Sequence, residues 1–173
     1  MRTTAIGCSI ALLVMFTVSA SAASPRDILV EVTSIAAATR PAEERRDAAV
    51  ELDPRLEPFS KNLKSLFAYN SYTFLSKDRS TVEFGKTKVF KLPEHFSIDV
   101  APEQIEPGGA DMIEMVVTLF REKPKREGGR GGRADEREVV LRTKIRLKNG
   151  GTVLLGGPPI RSGVLVLALS ARG

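Results

Sequence analysis

Residues 139–149 read VVLRTKIRLKN, the cleanest alternation in the 173-residue chain. Val139, Leu141, Thr143, Ile145 and Leu147 fall on one side of an extended strand, and Arg142, Lys144, Arg146 and Lys148 on the other. A helical period would scatter those cations around the axis, so the stretch predicts a strand with one face in a core and one in water. Asn149-Gly150 is a favoured hairpin turn because both residues tolerate positive φ, and residues 152–155 are expected to return as its partner.

Working outward, Gly156-Gly157-Pro158-Pro159 breaks the pattern, and residues 164–170 form a last strand apolar enough on both faces to lie inside a sheet. Upstream, residues 112–120 are apolar enough to cross the interior as a strand, and Phe96, Ile98 and Val100 alternate in another. Short strands are expected over 69–76, 81–84 and 87–92, separated by Lys77-Asp78-Arg79-Ser80 and by Gly85-Lys86 and joined as compact hairpins. Ile28, Val30 and Val32 mark the buried side of a first strand.

One helix stands out. Asp53 can cap exposed amides and Pro54 suits the first helical position, where no donor is needed. Leu56, Phe59, Leu63, Leu66 and Phe67 follow near a helical period, with Glu57, Lys61 and Lys64 left for water. The fold class expected is α+β: a mainly antiparallel sheet, sandwich-like or single, with this amphipathic helix packed on it.

Residues 1–22, MRTTAIGCSIALLVMFTVSASA, read as an export signal: Arg2 gives the positive start, an apolar run follows, and Ala20-Ser21-Ala22 supplies small residues for cleavage. The remaining residues suit a single domain, with 23–52 holding the first strand and a mobile connection and 53–173 the rest. The mature chain then has no transmembrane segment, and periplasmic residence is the first expectation, with extracellular or outer-membrane-associated residence as alternatives. The only cysteine, Cys8, leaves with the signal, which excludes disulfides, thiolate catalysis and Cys-based metal sites. A net charge of +5 favours solubility and non-specific attraction to anionic surfaces more than nucleic-acid function.

Within the flexible charged loop 121–138, REKPKREGGRGGRADERE, Arg130 and Arg133 could grip phosphate or carboxylate groups. Interleaved acids and missing aromatics favour a loop joining two strands, and no nucleic acid is expected as a partner. The row Arg142, Lys144, Arg146 and Lys148 is the better binding candidate, since strand geometry puts four cations on one surface. A solvated outer face guarded by edge cations explains the same pattern.

Other chemistry finds little support. His95 could bind a metal with Glu94 or Asp99, but one imidazole without a ligand set reads as a loop histidine. Glu103, Glu106, Asp111 and Glu114 lack the ligand order of an EF-hand and are assigned to solvent. The glycines of 150–157 precede no Lys-Ser/Thr pair, and Ser60, Ser97 and Ser162 have no motif joining them to the histidine. No cofactor and no metal are expected.

Residues 144–171, KIRLKNGGTVLLGGPPIRSGVLVLALSA, resemble the β-domain ends of bacterial secretins in their order of amphipathic strand, Asn-Gly turn, apolar strand ending in Gly-Gly and final apolar strand. The chain has no long barrel region, so the resemblance implies a small exported accessory or orphan domain of the envelope. The Leu-Pro, Gly-Gly and Leu-Ala-Leu-Ser-Ala layout is similar to that of other small exported proteins. The function expected is a non-enzymatic secreted or periplasmic binding or assembly module, with an envelope protein or an anionic envelope polymer as partner. The alternatives are an exported hydrolase using an acid pair among Asp99, Glu103 and Asp111, or a purely structural envelope protein.

Overall fold

The computed structural model describes residues 27–41, 50–103, 112–123 and 137–173. The signal reading of 1–22, most of the loop with Arg130 and Arg133, and the acids Glu106 and Asp111 lie outside the described residues. Among the described residues nine strands make two sheets: β1 (Asp27–Ala38), β2 (Glu51–Leu52), β3 (Ser71–Glu83), β8 (Thr152–Ile160) and β9 (Gly163–Arg172) in one; β4 (Lys88–Leu92), β5 (Phe96–Glu103), β6 (Met112–Glu122) and β7 (Arg137–Lys148) in the other. The order is β2-β3-β1-β9-β8 in the first sheet and β4-β5-β6-β7 in the second. Every pairing is antiparallel except β2 with β3.

Alternation explains the layering. Ile28, Val30 and Val32 on β1 and Leu165, Leu167 and Leu169 on β9 meet Phe90, Ile98, Val100, Ile113, Met115, Val117 and Leu119 of the opposing sheet in one buried cluster. The intervening residues Ile35, Ala37, Val166 and Ala168 point the other way, where Leu56, Leu63 and Tyr72 cover them. The first sheet is therefore buried on both faces around its centre, and β9, apolar on both sides, lies inside it as its sequence requires. The fold is α+β with one 13-residue helical segment packed on a two-sheet β structure.

That segment opens as a 3-10 turn, Pro54–Phe59, and becomes the α-helix α1 only over Ser60–Leu66. Asp53 accepts from the Arg55 amide at 3.0 Å and pairs with its guanidinium at 2.7 Å. Those Arg55 hydrogen bonds bring the Asp53 carboxyl down to about 2. Leu56 and Leu63 are fully buried, but Leu66, expected in the core, is 65% exposed. Leu66 is the last residue of α1, and the backbone turns extended at the next residue, Phe67, which packs against the Leu56 and Leu63 cluster.

Three local expectations are corrected. Residues 77–80 are not a turn: they continue β3, with Lys77, Asp78, Arg79 and Ser80 opposite Thr33, Val32, Glu31 and Val30. The extra residue Leu75 forms a bulge there, and Lys77 pairs with Glu31 at 2.8 Å. Gly85, at φ 74°, carries the chain from β3 across to β4 in the other sheet, so no hairpin forms. Asn149-Gly150 does the same in reverse: 152–155 do not return along β7 but pair with β9. The Gly150 amide donates to the Ala171 carbonyl at 2.8 Å, which ties this crossing to the end of β9.

Close backbone contacts fix the opposite end. Gly163, at φ 134°, lies where an added Cβ would sit 2.3 Å from the Ala37 carbonyl oxygen, so only glycine fits. Gly156-Gly157-Pro158-Pro159 does not end β8 but makes an irregularity within it, tolerated because β8 is an edge strand. The Glu94 carboxylate accepts from the Arg161 amide at 2.8 Å, joining the β4–β5 turn to the β8–β9 turn.

Candidate binding face and open edge

The basic row is where strand geometry puts it. Arg142, Lys144, Arg146 and Lys148 alternate on β7 and are all exposed, while Leu141, Thr143 and Ile145 are half-buried and Leu147 is buried toward the core. β7 ends the order of its sheet, so the row runs along an edge. A bulge at Val140 breaks the register between Leu119 and Phe120, and it leaves Val139 56% exposed instead of core-facing as its alternation predicts.

The sequence did not reveal the acids beside the row. Register places Glu114 of β6 opposite Arg146 and Val116 opposite Lys144, with Glu103 of β5 opposite Glu114. Lys144 accordingly pairs with Glu103 at 2.7 Å and with Glu114, and Arg146 pairs with Glu114 at 2.8 Å. The Glu103 carboxylate and then that of Glu114 raise the Lys144 ammonium above its ordinary value, and Lys144 followed by Arg146 lowers the Glu114 carboxyl. Arg142 and Lys148, at the two ends of the row, have no ion pair among the described residues. The row is a partly neutralised ladder with an open cation at each end.

Farther along the same face Arg137 pairs with Asp99 at 2.9 Å and stacks over the Phe120 ring at 4.4 Å from its centroid. Asp99 and Glu103 are four residues apart on one strand, roughly 13 Å between Cα atoms. Each is engaged by a different cation, so the strand does not bring them together as an acid pair. His95 sits with Glu94 in the β4–β5 turn, both at positive φ, and its carbonyl accepts from the Glu122 amide at 2.7 Å. Among the described residues no three His, Cys, Asp or Glu side chains are grouped to hold a metal ion. None of the described helices is long and apolar enough to cross a membrane.

No protein-family model and no curated protein matches the chain. Among solved structures, the T2SS secretin XcpQ from Pseudomonas aeruginosa aligns at a TM-score of 0.38 and 9% identity, over 86% of this chain and 59% of the secretin chain. This chain thus spans less than two thirds of that protein's length, and a likeness of that size decides neither fold nor function.

Proposed function

We propose that this protein is a non-enzymatic, exported binding or assembly module of the bacterial envelope, recognising an anionic partner along β7. The observation that carries the reading is the exposed row Arg142, Lys144, Arg146 and Lys148 on an edge strand, with its two outer cations free of ion pairs among the described residues. An anion arriving there meets Arg142 and Lys148 directly and competes with Glu103 and Glu114 for the middle pair.

Affinity capture from native envelope extract tests this, comparing wild type with Arg142→Glu/Lys144→Glu/Arg146→Glu/Lys148→Glu. Wild type should retain an anionic protein or polymer in a salt-sensitive way, and the variant, folded by circular dichroism, should lose it. Equal recovery by both chains, or none by either, would overturn the reading.

A further inference from the structure

We infer that the free edge of β7 takes up an extended, amphipathic, acidic strand from a partner protein, lengthening its sheet by one strand. This rests on the reading of the β7 row as a surface for anions and adds how the partner binds. β7 is twelve residues long and has no neighbouring strand beyond it among the described residues. Its outward backbone amides and carbonyls form a pairing template of about 40 Å.

Two kinds of side chain then select what pairs. On the solvent side an incoming strand would set every second residue opposite Arg142, Lys144, Arg146 and Lys148, at the about 5 Å Cβ separation of cross-strand neighbours. On the inner side Leu141 and Ile145 are only partly buried at the rim of the core. β8, the edge strand of the other sheet, leaves the same turn 149–151, and its Val153, Leu155 and Ile160 are likewise only partly buried against that core. An added strand with apolar residues inward and carboxylates outward would close the rim and extend the ladder in a single register.

The same charges argue against a second copy as occupant. Antiparallel pairing of β7 with itself, same face outward, sets cations of the row opposite one another, and like charges directly across a ladder repel. The complementary occupant is therefore a different chain, with alternating acidic and apolar residues.

The test uses a capped eight-residue peptide of alternating valine and glutamate, titrated into the full mature chain. Two relatives carry N-methyl groups on all valines or on all glutamates. In an extended strand each set of amides faces one edge, so one methylated peptide should lose binding and the other keep it. Binding should also slow exchange of alternate β7 amides, and Arg142→Glu/Lys148→Glu should weaken it by about tenfold. If both methylated peptides bind as well as the parent, strand addition is wrong while the anion-binding face stands. If the parent does not bind at all, both are wrong.

Discussion

At the residue scale, Tyr72 is the side chain on which the helix depends most directly. Its hydroxyl lies 3.0 Å from the Leu63 carbonyl, which also accepts from the Phe67 amide, and 3.1 Å from the carbonyl of Phe67, so it donates into the C-terminal end of α1. Burial raises its pKa, since the phenolate would lose solvent. Tyr72→Phe should lower the unfolding free energy by about 1–2 kcal/mol, read from urea denaturation. The folded tyrosine holds its proton beyond the pH at which the unfolded one releases it. Its contribution is therefore full below pH about 10 and declines as pH climbs through the raised value. The wild type's advantage over Tyr72→Phe should shrink correspondingly in alkaline denaturation series, and an advantage that grows with pH would contradict the assignment.

At the scale of elements, Leu63 and Leu66 separate what was legible from what was not. Both fit a helical stripe, yet only Leu63 is buried: Leu66 is the last residue of α1, where the backbone turns extended at Phe67. Leu63→Ala should destabilise by about 2–5 kcal/mol and Leu66→Ala by less than about 0.5 kcal/mol in the same denaturation assay. The strands of β1, β6, β7 and β9 were readable from alternation or two-sided apolarity, since those patterns reflect which faces are covered. Residues 77–80 were not, because four polar residues in a row look like a turn unless the strand opposite, Val30 to Thr33, is already in view. Asn149-Gly150 was read correctly as a reversal and wrongly as a hairpin: a tight turn fixes the change of direction, whereas β9 decides which sheet β8 joins. The cationic row was likewise visible, but Glu103 and Glu114 became its partners only through cross-strand register.

At the scale of the molecule, burial is concentrated along β1 and β9, which have neighbours on both sides, a facing sheet on one face and helix contacts on the other. Their amides should be the slowest to exchange with deuterium, approaching global unfolding, whereas the five-residue edge strand β4 should exchange earlier. Fast exchange in β1 would place the cooperative core elsewhere.

The pairing of Leu29 with Arg172 and of Ala37 with Val164 has a consequence for how the chain is made. β4 to β7 are neighbours in sequence and in space, so that sheet can assemble while the chain is still emerging. β1 appears early, but its long partner β9 comes last, and until then one whole side of β1 offers unpaired backbone to any passing strand. Under the proposal that the chain is exported, β1 would arrive on the far side before β9, and keeping it from sticking meanwhile would become a task for whatever receives it there.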